Sequence, residues 1–130
     1  KGERVVMLGP NGSGKSTLLS LLLGLLKASG GEINVMGVDP GKDYEKVRER
    51  IGALLQNPDV QIIAPRVWDD VSFSPRNYGY PKEKTDALVD DVLKKLEIEH
   101  LKDKVPHYLS GGEKTKVGLA GALVTKPELL

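Results

Sequence analysis

A glycine-rich segment followed by a lysine and a hydroxyl residue stands near the start of the chain. The pattern G-x-x-x-x-G-K-[ST] is matched at every fixed position by Gly9-Pro10-Asn11-Gly12-Ser13-Gly14-Lys15-Ser16. Glycines let successive backbone N–H groups turn around a phosphate, and a helix that follows directs the positive end of its dipole at the same anion. Lys15 adds a positive charge, the Ser16 hydroxyl can ligate Mg²⁺, and Thr17 is a candidate secondary phosphate contact. The segment therefore predicts a phosphate-binding loop.

A second glycine-rich helix start lies near the other end of the chain, in the run Leu109-Ser110-Gly111-Gly112-Glu113. It has two interpretations. Ser110 as N-cap with Glu113 at the third helical position is a capping box, which only stabilises the helix. The Ser110 hydroxyl and the bare N–H groups that follow it can also bind an anion. The presence of a phosphate loop in the same chain favours the second interpretation.

The elements that must position these two segments are predicted from hydrophobic patterns. Continuous apolar runs indicate buried strands at residues 5–8, which lead into the loop, and at residues 51–55, which end at Gln56. Alternation over residues 32–36 indicates a half-buried antiparallel strand. The leucine-rich residues 16–27 predict a helix packed on several sides, ended by Ser29-Gly30-Gly31. The order strand, helix, strand predicts an α/β fold with a mixed sheet.

The second half of the chain has a helical character. Residues 44–50 predict a short charged helix, and prolines 58, 65 and 75 cut residues 57–80 into loops and short helices. Residues 82–100 carry apolar side chains at helical spacing and predict a helix with one buried face. A further helix is expected from Ser110 to about Lys126, with Pro127 beyond its end.

Composition excludes several classes of function. The chain has 130 residues, below the roughly 150 of an average domain, so one domain or less is expected. Its 19 Lys+Arg and 18 Asp+Glu give a net charge of +1, which disfavours a nucleic-acid binder, and it has no cysteine. The longest apolar stretch, residues 18–26, is far shorter than the about 20 residues of a membrane span. Both ends fall at apolar runs, so the sequence is expected to be a fragment truncated at both ends.

Other residues with possible chemistry favour structural roles. His100 and His107 each lack a second ligand at a useful spacing. Trp68 is expected to pack in a core more than to anchor a partner. The pairs Asp69-Asp70 and Asp90-Asp91 lack a third oxygen ligand at calcium-loop spacing and are expected to be solvated or capping carboxylates. A mild basic cluster is interpreted as an exposed helix face, formed by Lys94, Lys95, Lys102 and Lys104.

The phosphate loop, a strand that ends in Gln56, and the L-S-G-G-[QE] helix start at Leu109, in this order, resemble the ATP-binding domain of ABC transporters. More narrowly, Leu55-Gln56-Asn57-Pro58-Asp59 with Gln61, then Ala64-Pro65 and Asp70-Val71-Ser72-Phe73, are similar to the ATPase subunits of energy-coupling-factor importers for cobalt, nickel or vitamins. The resemblance implies a P-loop NTPase fold with a mixed sheet core plus a helical subdomain. It divides residues 1–130 into a phosphate-loop core (1–56), a helical subdomain (57–109), and a signature helix with the start of the next strand (110–130).

The resemblance also implies how such a domain would work. Two domains pair head to tail, as a homodimer or heterodimer, and enclose ATP with Mg²⁺ between the phosphate loop of one and residues Ser110, Gly111, Gly112 and Glu113 of the other. Ser16 and Gln56 would hold the magnesium, and Gln56 would also position the attacking water. An integral membrane subunit would dock on residues 57–73. The protein would then lie at the cytoplasmic face of the cell membrane, with no nucleic acid among its partners.

Some positions depart from the family pattern, and two alternatives stay open. Glu113 replaces the commoner Gln, Lys116 stands where Arg is usual, and Gly118 lies inside a helix where Ala would be more favourable by roughly 1 kcal/mol. The family's magnesium Asp and its catalytic Glu are expected on a strand beyond Leu130. One alternative is an ABC-type DNA-repair or chromosome ATPase, but residues 57–109 are too short for its coiled coil. The other is a nucleotide-binding fragment without turnover.

Overall fold

The computed structural model describes residues 2–130, and the chain divides into the units Lys1–Arg48 and Glu49–Leu130. The first unit contains the phosphate loop, and the second contains Gln56 and the segment 109–113. The predicted division at residues 56 and 109 is a functional one and stays a prediction.

Helix α1, Lys15–Leu22, is the main helix of the first unit. The predicted helix over residues 16–27 is therefore too long. The backbone of Gly24 is left-handed, with φ 67°, and a Cβ there would lie 2.6 Å from the carbonyl oxygen of Pro40. The chain turns at Gly24 to pass close to α2, Pro40–Asp43. The predicted packing of α1 on several sides is also wrong, because α1 has no buried residue.

The predicted strands do not form a sheet among residues 2–130. The described residues form two isolated bridges: an antiparallel bridge between Val35 and Val38, and a parallel bridge between Ile51 and Leu129. A strand needs a neighbour that accepts and donates its backbone hydrogen bonds. Residues 5–8 pair with no such neighbour here, and Val5 and Leu8 are exposed at 78% and 90%. The mixed sheet expected from the pattern is thus not formed within these residues.

The predicted strand at residues 32–36 is not formed, and a tight turn over residues 35–38 stands at its end. The backbone N–H of Val35 donates to the carbonyl of Val38 at 2.7 Å, and the reverse bond measures 3.0 Å. Met36 and Gly37 between them both have positive φ, 51° and 87°, as a two-residue hairpin turn requires. The short charged helix expected over residues 44–50 is two 3₁₀ turns, Tyr44–Lys46 and Arg48–Arg50, on either side of the buried Val47.

The second unit is helical. Its elements are α3 (Pro58–Gln61), α4 (Val67–Val71), α5 (Phe73–Asn77), α6 (Lys82–Lys95), 3₁₀ turns at Glu99–Leu101 and Pro106–Tyr108, and α7 (Gly111–Leu123). The prediction of short helices over residues 57–80 is confirmed. Helix α6 ends five residues before the predicted His100 because Glu97 is left-handed, with φ 58°, which turns Ile98 into the core. Helix α7 ends three residues before Lys126.

The core of the second unit lies where α4, α6 and α7 meet. Its buried side chains are apolar and include Val67, Val71, Val89, Leu93, Ile98, Leu101, Val117, Ala120 and Val124. Trp68 is half-buried and packs against this core, which confirms its predicted packing role. Backbone bonds from Val67 to Lys104 (3.0 Å) and from Trp68 to Lys102 (2.9 Å) fix the start of α4. The core thereby holds α7, whose first turn carries Ser110 and Glu113, in one orientation.

Candidate functional site

The phosphate loop folds around the ammonium group of Lys15. Lys15 Nζ donates to the carbonyl oxygens of Gly9 (2.7 Å) and Pro10 (2.8 Å) and lies 3.2 Å from Ser13 Oγ. These contacts use all three donors of the ammonium group. A phosphate that enters the loop therefore exchanges one ordered set of Lys15 hydrogen bonds for another, and the lysine is already in place.

The glycines of this loop are required by its backbone. Gly12 and Gly14 have φ of 84° and 89°, a region that other residues rarely adopt. A Cβ on Gly9 would lie 2.6 Å from Ser13 Oγ, so a side chain there would displace the serine. The Ser13 N–H closes the turn by donating to the carbonyl of Pro10 at 3.2 Å. The loop conformation is thus built by the residue types that the sequence pattern specifies.

The N-terminus of α1 is open to an anion. Its N-cap residue is Gly14, no side chain caps it, and its first turn has no acidic residue. The first four N–H groups of a helix have no partner within the helix, and its dipole favours negative charge at this end. Ser16 and Thr17 are exposed beside the half-buried Lys15. Residues 9–17 therefore combine free backbone donors, a cation and two hydroxyl groups, which suits a polyphosphate.

The second glycine-rich helix start forms the capping box that its sequence predicts. Ser110 Oγ accepts a hydrogen bond from the Glu113 N–H at 3.3 Å. Glu113 Oε2 accepts from the Ser110 N–H at 2.8 Å and from the Ser110 hydroxyl at 2.7 Å. These bonds lower the pKa of Glu113, first through the Ser110 hydroxyl and then through its backbone, with smaller contributions from the charges of His100 and Lys104. The capping interpretation is confirmed, and the anion-binding role of Ser110 stays a prediction.

Gln56 lies exposed in the bend before α3, in the second unit. The residue that organises this bend is Gln61, which the sequence indicates only as part of a family motif. Gln61 hydrogen-bonds to the backbone of Ala53, Leu55 and Gly118. No local pattern could show the bond to Gly118, because Gly118 is distant from Gln61 in sequence.

The remaining candidates have structural partners. Asp70 Oδ1 accepts from the N–H groups of Ile63 (2.8 Å) and Ala64 (3.1 Å), which makes it a loop cap. Asp69, Asp90 and Asp91 pair with Arg66, Lys102 and Lys95 respectively. These contacts confirm the predicted capping and solvated roles. The His107 ring contacts Tyr108 edge to face at 5.6 Å between centroids. Within residues 2–130, no group of three or more His, Asp or Glu side chains is arranged to hold a metal ion.

Comparison with known proteins shows the family. The family model described as "ABC transporter" matches residues 1–130. The chain belongs to the ABC transporter family. It is 44% identical over 133 residues to the energy-coupling factor transporter ATP-binding protein EcfA of Methanothermobacter thermautotrophicus, a match that covers 100% of the chain and 43% of that protein. It is 48% identical over 130 residues to the putative ABC transporter ATP-binding protein MK0182 of Methanopyrus kandleri, covering 100% of the chain and 48% of that protein. The chain spans less than half the length of these relatives.

Solved structures of ABC transporter subunits share the fold of this chain. The structure of cbiO1 from Clostridium perfringens, described as part of the ABC transporter complex cbiONQ, has a TM-score of 0.80 and 44% identity over 92% of this chain and 49% of its own. An ATP-binding subunit of an ABC transporter has a TM-score of 0.77 at 22% identity, over 92% of this chain and 50% of its own, and supports the fold alone. The predicted fold class, a P-loop NTPase of the ABC type, is confirmed.

Among residues 2–130 no helix has both the length and the apolar character of a membrane span.

Proposed function

We propose that the whole protein is the ATP-binding subunit of an importer, and that it couples ATP binding and hydrolysis to uptake of a small solute, such as cobalt, nickel or a vitamin. The observation that carries this proposal is the phosphate loop, which is already folded around Lys15 at the uncapped start of α1. The 44% identity to a protein named as an energy-coupling factor ATP-binding subunit supports the transport role.

The residues of the loop have separate tasks in this proposal. The backbone N–H groups and Lys15 hold the phosphates, since both supply positive charge at the start of α1. Ser16 offers a hydroxyl oxygen to Mg²⁺, a ligand type that this ion accepts. The roles of Gln56 toward magnesium and water rest on the family resemblance. Magnesium, when bound, would neutralise charge that develops on the phosphates during hydrolysis.

The segment 109–113 is proposed to act on nucleotide held by a second ATPase domain. The helix start of α7 is exposed at Ser110, Gly111 and Gly112, so a partner can reach it. In the described structure the Ser110 hydroxyl donates to Glu113. To bind the partner's γ-phosphate, this hydroxyl would have to exchange the Glu113 carboxylate for the phosphate.

A groove in the second unit is proposed to receive the integral membrane subunit. It has a volume of about 310 Å³ and is lined by six apolar residues, Ile62, Ile63, Ala64, Pro65, Val105 and Pro106, and by the polar residues Asp59, His107 and Lys114. Within the groove Ile63 is 67% exposed, and an exposed apolar side chain of this kind suits an apolar helix of a partner. The related cbiO1 is described as part of a multisubunit transporter complex, which supports such a partner. This docking would place the protein at the cytoplasmic face of the membrane, where ATP is available.

The alternative of a DNA-repair or chromosome ATPase gains no support from the structure. Between Gln56 and Ser110 the longest helix is α6, with 14 residues. A coiled coil needs several heptads, and the described residues of this interval contain none of that length.

Nucleotide affinity of the whole protein tests the proposal. Lys15→Ala removes charge-assisted bonds of about 1.5–3 kcal/mol, so the dissociation constant for MgATP is expected to rise about 10- to 150-fold, with loss of hydrolysis. The matched control is Lys27→Ala, which removes an exposed lysine of the same unit outside the loop and is expected to bind as the wild type does. Unchanged affinity in Lys15→Ala would contradict the proposed function.

A further inference from the structure

The side-chain amide of Gln61 connects three segments of the second unit. Its Oε1 accepts from the N–H of Leu55 at 2.8 Å. Its Nε2 donates to the carbonyl of Ala53 at 3.1 Å and to the carbonyl of Gly118 at 3.3 Å. One N–H and two carbonyl groups fix the orientation of the amide, because a rotated amide would place its oxygen against two acceptors.

These bonds are the hydrogen bonds that hold the backbone before Gln56. Within residues 2–130, no backbone-to-backbone hydrogen bond involves residues 53–56. Ala53 and Leu55 are instead bonded to Gln61, the last residue of α3. The backbone that leads into Gln56, the next residue along the chain, is therefore held by a side chain five residues later.

The third partner belongs to α7. Gly118 lies in the middle of this helix, where a Cβ would approach Leu54 Cδ1 to 3.1 Å and Gln61 Cδ to 3.8 Å. The absence of a side chain lets α7 come close to Gln61 and to the segment 53–55. This close approach gives a physical reason for a glycine that helix propensity alone disfavours.

We infer that Gln61 is a positioning residue for ATP hydrolysis: it joins the backbone before Gln56 to the helix that begins at Ser110, so that these two sites move as one body. The inference rests on the proposed function, in which Gln56 and Ser110 face nucleotide. A displacement of either residue on contact with a γ-phosphate is transmitted to the other through the side-chain amide of Gln61. The hydrogen bonds that carry this connection all join residues of the second unit, and none of them involves the phosphate loop.

The test uses the whole protein and the variant Gln61→Met, which keeps the length of the side chain and removes its donors and acceptor. The dissociation constant for MgATP is expected to stay within about twofold of the wild type, while kcat for hydrolysis falls about tenfold, the change that one hydrogen bond of typical net strength supports. Gln61→Glu keeps the acceptor for Leu55 but places a carboxylate oxygen against the carbonyl oxygens of Ala53 and Gly118, so its kcat is expected to fall at least as far as that of Gln61→Met. The control Lys102→Met breaks the 2.6 Å pair with Asp90 elsewhere in the unit and should keep the wild-type kcat.

A double-mutant cycle separates positioning from general destabilisation. In a Gln56→Ala background, Gln61→Met is expected to lower kcat no further, because its effect passes through Gln56. Hydrogen exchange gives a second readout: the Leu55 amide should lose protection in Gln61→Met and keep it in Lys102→Met. An unchanged kcat in Gln61→Met, or an equal loss of kcat with and without Gln56, would overturn the inference. Wild-type hydrolysis that does not depend on Lys15 would instead overturn the proposed function.

Discussion

The substitution Gly52→Ala tests whether the segment before Gln56 is as tightly enclosed as the structure shows. Gly52 is buried, and its N–H donates to the carbonyl of Leu129 at 2.8 Å. A Cβ there would collide with the carbonyl oxygen of Ala122, lie 2.9 Å from Pro127 Cγ and lie 3.1 Å from Leu130 Cδ1. The closest atom belongs to the backbone of the neighbouring chain segment, so no rotation of a side chain can relieve the contact.

The expected change in the free energy of unfolding for Gly52→Ala is the sum of two opposing contributions. Overpacking of an enclosed site costs about 1–3 kcal/mol, and the rigid neighbour here favours the upper end of that range. Alanine also restricts the unfolded chain, which returns about 0.4–1 kcal/mol. The expected net loss of unfolding free energy is therefore about 2 kcal/mol. Gly121→Ala is the matched control, because a Cβ at this position of α7 meets nothing within 4 Å. It should gain up to about 1 kcal/mol from helix propensity.

Urea denaturation of the whole protein, followed by far-ultraviolet circular dichroism, measures both variants against the wild type. The same chemical change, hydrogen to methyl, is expected to shift the free energy of unfolding in opposite directions at the two positions, with a difference of about 3 kcal/mol between the variants. If Gly52→Ala were as stable as Gly121→Ala, the close packing of residue 52 against the end of α7 would be refuted.

Three further predictions concern the proposed interfaces and the cap. Ser110→Arg should leave the affinity for MgATP unchanged at low protein concentration. In a hydrolysis-deficient background it should abolish ATP-dependent dimerisation. Dimerisation at the wild-type level would show that the segment 109–113 is only a capped helix start. The lowered pKa of Glu113 means that its cap is fully present above the ordinary value of 4.5 and is lost as the pH falls through the lowered value. Glu113→Gln should therefore flatten the acid decline of Tm, and an unaltered decline would speak against the cap. A photo-cross-linker at Ile63 should capture an integral membrane subunit in the assembled transporter, whereas one at the exposed Lys94 of α6 should not; equal capture at both would argue against the groove.

The two glycine-rich segments could be predicted because their geometry is local. In residues 9–15, the glycine backbone angles and the lysine that closes the loop follow from residue types a few positions apart. The capping box of Ser110 and Glu113 spans one helical turn. Short helices over residues 57–80 could likewise be predicted, and Pro58 stands at the start of α3, where its missing donor and fixed φ fit the first helical turn.

Tertiary structure alone decided the features that depend on distant residues. The sequence predicts strands at residues 5–8 and 51–55, but a strand exists only where another strand accepts its hydrogen bonds, and residues 2–130 contain just two isolated bridges. Helix α1 ends at Leu22 because Gly24 passes beside Pro40, and α6 ends at Lys95 because Ile98 enters the core. The hydrogen bond between Gln61 and Gly118 joins residues that are 57 positions apart in the sequence. Local chemistry could be read from residue type and spacing, whereas these partners are brought together only by the packing of the whole unit.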